Sequence, residues 1–154
     1  MIPHPDNLIT DFVRVTALAG MPIQTPDLTH ELRRAPHMPR SLPTGVQAVY
    51  VFSLTSPSNL VLKVGKVGAN SNARFQSQHY LPHAAKSTLA KSLLAHPERW
   101  SQLGIQTIDT TTVGGWLRQH TDRDHFFLAA TQPAFLLSLL EAFLQCRFRP
   151  LFEG

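Results

Sequence analysis

Two apolar runs, residues 46–54 and 60–64, are separated by only five residues, and this spacing constrains the fold more than any other feature of the chain. The first run, VQAVYVFSL, is rich in Val, Tyr and Phe, the composition of a strand. The second, LVLKV, reads as its hairpin partner. Ser56-Pro57-Ser58-Asn59 between them supplies turn residues. A glycine-rich turn follows, with Gly65 and Gly68. After it, residues 70–79 predict a helix, and this segment carries Arg74, Gln76, Gln78 and His79, with Tyr80 next to them.

The remaining elements are arranged around this hairpin. Residues 1–20 predict a short amphipathic helix with Asp6 or Asn7 as cap. Leu8, Ile9, Phe12, Val13, Val15 and Leu18 fall on one broad face, and Gly20 ends it. Residues 21–44 hold Pro22, Pro26, Pro36, Pro39 and Pro43, which lack backbone donors and favour extended or turn geometry. They read as a proline-rich arm with a short helical piece at Leu28–Arg33, lying across the main domain; a flexible linker is the alternative. Residues 86–95 predict a helix capped by Ser87 or Thr88. Ile105–Asp109 predicts a strand, and Gly114-Gly115 a chain break before a short helix at Trp116–His120. Asp122-Arg123-Asp124-His125 reads as a solvated turn, followed by a strand at His125–Ala130. Ala134–Phe148 is the clearest helix, with Phe135, Leu136, Leu139, Leu140, Phe143 and Leu144 at near-helical spacing and Pro150 as its stop. Internal repeats and low-complexity tracts are absent.

The chain has 154 residues, the size of one ordinary domain, and 43% of them are hydrophobic, enough for a single core. Lys and Arg exceed Asp and Glu by 14 to 10, which leans towards a polyanionic partner such as nucleic acid. A lone cysteine, Cys146, excludes an intrachain disulfide framework and a zinc knuckle. It points to a reducing, cytoplasmic compartment. No apolar run approaches the ~20 residues of a membrane span, and the N-terminal residues lack the basic start of a secretory leader. Gly65-Lys66-Val67-Gly68 lacks the ending and spacing of a phosphate-binding P-loop.

Phosphodiester chemistry needs a cation for the phosphoryl charge, a carboxylate for a divalent metal and a base for water. The candidates are Tyr50, Arg74 and Glu141, with Lys63, Lys66, His79 and Tyr80 in support. Taken singly, a strand tyrosine is usually packing and a helix arginine is usually solvated. Glu141 lies within a strongly apolar helix, where a charge needs a reason. The plain alternative is that it sits at the edge of the apolar face and points to water.

In order and joint spacing these residues resemble the GIY-YIG endonuclease superfamily. Ala48-Val49-Tyr50 is similar to its first element and Lys63-Val64-Gly65 to its second. Arg74 lies nine residues after Gly65, His79-Tyr80 follow, and Glu141 precedes a Pro150-Leu151-Phe152 ending. The resemblance covers about residues 46–153. It departs from the family pattern at Ala48, at Lys63 in place of a tyrosine, as in branches with Lys-Ile-Gly, and at Glu153 in place of an asparagine.

The resemblance implies a metal-dependent nuclease acting on DNA. Glu141 would hold Mg²⁺ or Mn²⁺ and Arg74 a phosphate oxygen, while Tyr50 would act as general base or position the water. An ordinary tyrosine titrates near 10, so Lys63, Lys66 or the metal would have to lower it; His79 is the alternative base. Lys66, Arg74 and Tyr80 would contact nucleic acid, and a homodimer would serve double-strand cleavage. The expected fold is one α+β domain, a small, mainly antiparallel three-stranded sheet flanked by helices. Residues 1–45 form the N-terminal helix and proline-rich arm packed on a nuclease domain at 46–154. The competing reading is a nucleic-acid-binding or protein-interaction module that keeps the scaffold without catalysis. A third is an unrelated small-molecule enzyme using His79 and Arg74.

Overall fold

The computed structural model describes residues 4–55, 60–84 and 88–152. The expected hairpin forms its centre: β2 (Val46–Leu54) pairs antiparallel with β3 (Val61–Val67), from Ala48 opposite Val67 to Ser53 opposite Val61. The turn expected at Ser56–Asn59 lies outside the described residues. A register shift between Phe52 and Ser53 leaves Leu62 as the extra residue of β3, so Leu62 packs on the Phe52 face while Val61 packs on the Val51 face. β2 reads as an unbroken apolar run because it is buried on both faces.

Two further strands complete a four-stranded antiparallel sheet in the order β1-β4-β2-β3, where three strands were expected. β4 (Thr121–Ala129) lies against β2. β1 (Leu28–Arg33) pairs with β4 at the far edge, from Leu28 opposite Leu128 to Arg33 opposite Arg123. The segment expected as a proline-rich arm with a helical piece thus contributes an edge strand. Leu28–Arg33 contains good helix formers, but six residues cannot sustain a helix alone, and β4 offers an unpaired edge.

Helices cover both faces. On one side α1 (Pro5–Leu18) and α5 (Ala134–Phe148) bury Leu8, Phe12, Leu136 and Leu140 against Val49, Val51 and Phe126. On the other, α2 (Asn72–Gln76), α3 (Leu89–Ala95) and α4 (Val113–His120) enclose Tyr50, Phe52, Phe75, Leu93 and Leu117. The expected 70–79 helix is divided into α2 and a 3₁₀ turn at Gln78–Tyr80. Thr88 caps α3, accepting from the Lys91 amide at 3.2 Å; Ser87, the alternative cap, lies outside the described residues. α1 starts at Pro5 with the His4 ring as its cap, two residues before Asp6 and three before Asn7, the caps expected.

Three other expectations change. Ile105–Asp109 forms no strand; its isoleucines are buried, but Asp109 folds back to accept from the Thr111 and Thr112 amides and starts the turn into α4. Gly114-Gly115 does not break the chain: α4 runs through both, and a Cβ at Gly114 would lie 2.7 Å from the Tyr80 carbonyl oxygen. Asp122–His125 is strand, not solvated turn, with Arg123 and His125 in the interior. After α5, Leu151 and Phe152 donate their amides to Val61 and Leu62 carbonyls, covering one end of the β3 edge. No helix among the described residues is long and apolar enough to cross a membrane.

Candidate functional site

The uncovered end of β3 borders a cleft of about 630 Å³. β3 supplies Lys66, the turn after it Gly68 and Ser71, α2 supplies Arg74, and α5 supplies Ser138 and Glu141. On α5, Ala134, Ser138 and Glu141 recur at intervals of four and three, so one face of the helix lines the cleft. Lys66 Nζ lies 2.8 Å from Glu141 Oε2 and 3.0 Å from Ser138 Oγ. The carboxylate that looked anomalous in an apolar helix is therefore ion-paired at a cleft wall and about one-fifth exposed.

Alternation along β3 sends Lys66 to the α5 side and Lys63 and Gly65 to the other. Gly65 stands opposite Tyr50, and a Cβ on it would lie 2.7 Å from Tyr50 Cζ. Only the absence of a side chain there lets the Tyr50 ring cross the edge strand. The Tyr50 hydroxyl reaches His79 Nε2 at 2.5 Å, and the Arg74 guanidinium lies near enough to oppose the rise in its pKa. The Leu89 amide donates to His79 Nδ1 at 3.3 Å, so Nε2 carries the ring proton and points it at Tyr50. The His79 donor and the positive charge of Arg74 therefore both favour charge on the phenol oxygen. Arg74 joins this buried pair to the open cleft, which it also lines.

The electrostatics differ from those expected. Burial pushes the Tyr50 phenol up to about 12, and the opposing charges are Arg74 and Arg123 rather than Lys63 or Lys66. Burial, with Arg123, Arg74 and Lys63 beside it, drives His79 down to about 2. Its Nδ1 lone pair is taken by Leu89, so His79 has no free lone pair with which to act as a base. Lys63 is 7% exposed and lies within the interior, outside the cleft lining. Tyr80 is 3% exposed; its hydroxyl meets His37 Nδ1 and Arg123 NH1 at 3.3 Å each, so it does not face a surface ligand.

The structure thus brings Lys66, Arg74 and Glu141 into one cleft, places Tyr50 and His79 directly behind Arg74, and keeps Lys63 and Tyr80 inside. Among the described residues no group of three His, Cys, Asp or Glu side chains forms a metal cage. Among the described residues, Glu141 is the only carboxylate lining the cleft. That donor set suits a hard cation that keeps most of its waters and shares the remaining positions with a substrate phosphate. Lys66 would have to leave Glu141 for such an ion to bind.

Sequence reasoning missed Gln47, Ser138 and Arg123. Gln47 donates to the Ala129 and Gln132 carbonyls at 3.1 and 2.9 Å, fixing the β4–α5 connection at the cleft wall. A polar residue inside an apolar element was the available signal for Gln47 and Ser138. Arg123 had none, since its charged neighbours disguise a strand as a turn. No protein-family model, curated protein or solved structure matches the chain.

Proposed function

We propose that this chain is a metal-dependent endonuclease of the GIY-YIG kind, hydrolysing phosphodiester bonds in DNA. The observation that carries the reading is the convergence of Lys66, Arg74 and Glu141 on one open cleft, with the Tyr50 hydroxyl held behind Arg74. The cleft offers two cations for a phosphodiester and one carboxylate for an ion, and the chain carries a net charge of +4.

In this reading a backbone phosphate enters the cleft and takes Lys66 from Glu141. Arg74 donates to a non-bridging oxygen through its guanidinium fork. Glu141, so released, would hold Mg²⁺ or Mn²⁺, and the ion would supply Lewis acidity for the leaving oxygen. Tyr50 keeps its proton at neutral pH, since burial raises its pKa to about 12. Its part is to orient Arg74 from behind the cleft wall. The His79 donor on its oxygen and the nearby Arg74 charge would steady any negative charge that builds there. Lys63 acts at a distance, adding positive charge beside His79.

The test is cleavage of supercoiled plasmid and of single-stranded DNA with Mg²⁺ or Mn²⁺, wild type beside Glu141→Ala and Arg74→Ala. The expected outcome is cleavage by wild type, stopped by chelator and lowered by about 100-fold or more in each variant. Full metal-dependent cleavage by Glu141→Ala would end this assignment. A specific observation favours a second reading, a catalytically inactive DNA-binding module: Glu141 is already neutralised by Lys66, and Tyr50 is fully buried as a phenol. Salt-dependent DNA binding by a well-folded chain without cleavage or metal binding would select that reading.

A further inference from the structure

Arg123 is 2% exposed, and among the described residues it forms an ion pair with no carboxylate. Isolated charges in a protein interior are costly and need a compensating role. Its guanidinium is spent instead on the segment that carries the candidate site. NH2 donates to the Phe75 carbonyl, and NH1 to the Tyr80 hydroxyl at 3.3 Å. Phe75 follows Arg74 directly and Tyr80 follows His79 directly, so the two anchors sit at the two functional positions of α2 and the 3₁₀ turn. The same group lies over the rings of Tyr50, Phe52 and Phe75, at 5.3, 4.9 and 4.6 Å from their centroids. β4 holds Arg123 between β1 and β2, opposite Arg33 and Phe52, so the guanidinium is anchored in the inner part of the sheet.

We propose that Arg123 is a positioning residue of the candidate site: it ties the 72–80 segment to the sheet so that Arg74 lines the cleft. The proposal rests on the nuclease reading of that cleft. A planar fork does this better than an ammonium, because it donates in two directions while stacking on rings. The neighbouring α2 has only five residues and no side-chain cap, so it depends on tertiary contacts to hold its place.

The experiment compares wild type, Arg123→Met and Arg123→Lys by steady-state DNA cleavage with Mn²⁺ and by amide hydrogen exchange. For Arg123→Met, kcat is expected to fall about 100-fold with KM nearly unchanged, and Arg123→Lys to recover part of that loss. Amides of residues 72–80 are expected to exchange about tenfold faster in Arg123→Met while those of β2 and β4 keep their protection. If Arg123→Met does not fold, Arg123→Lys decides: faster exchange confined to 72–80 supports the proposal, and wild-type exchange and kcat overturn it. Equal loss of protection in the sheet and in 72–80 would show a merely structural cation and overturn it as well. If wild type cleaves no DNA the nuclease reading fails, and the exchange pattern alone still accepts or rejects the tether.

Discussion

At the scale of single residues, the site depends on a glycine facing a tyrosine. Gly65 is needed for space rather than for an unusual backbone angle, since the Tyr50 ring occupies the volume of its missing side chain. Gly65→Ala is expected to cost about 1–3 kcal/mol through overpacking, measured by urea unfolding. It should also lower cleavage more than DNA affinity. Buried histidines set the response to acid. His37, His79 and His125 are held by burial, and by nearby guanidinium charge, at about 4, 2 and 2 against an ordinary 6.5. Between pH 6.5 and those values the unfolded chain binds protons that the native chain refuses. Stability therefore rises with pH in that window: it is fully present above 6.5 and is lost as pH falls towards 4. The limiting slope is about 1.4 kcal/mol per pH unit for each histidine. Denaturant titrations at pH 7.5, 6 and 5 should show it, and His79→Gln should shallow the slope by one proton's share. A flat profile from pH 7.5 to 5 would contradict this account.

At the scale of elements, the N-terminal segment is structural rather than accessory. α1 and the chain leading into β1 bury Leu8, Ile9, Phe12, Ile23 and Leu28, at roughly 2 kcal/mol each. Their sum is comparable to the whole stability of a small domain. A variant beginning at Arg34 would also leave the β4 edge unpaired, and it is expected to aggregate or elute as unfolded chain on size exclusion. A stable monomer would contradict this. α5 and the hairpin were readable in the sequence because α5 is continuous with its apolar spacing and the hairpin is local in the chain. β1 and the first half of β4 were not. His30 with Asp124, and Arg123 with Tyr80, are partners distant in sequence, and such pairs make polar residues look like loop until the strands are laid together.

At the scale of the whole molecule, the cleft opens where the sheet edge, α2 and α5 meet, and under the proposed function its charge would govern encounter with a polyanion. DNA binding is expected to weaken as salt rises. Arg74→Ala should reduce the slope of log affinity against log salt by about 0.9 for the phosphate contact it removes. An unchanged slope would place DNA elsewhere on the surface. This measurement holds for an active enzyme and for a binding module alike; cleavage separates them.

The sequence by itself determined the α+β class, the β2–β3 hairpin and the α5 helix, because local periodicity and short-range spacing carry that information; the candidates Tyr50, Arg74 and Glu141 came from their chemistry and the family resemblance. Only the tertiary structure decided which candidates share a space. It put Lys66 rather than Lys63 beside Glu141, withdrew Tyr80 and His79 from the surface, and brought Arg123 to the back of the site. The physical reason is that strand alternation assigns a side chain to a face only once register is set. Register here depends on β4 finding β2 across more than sixty residues of intervening chain.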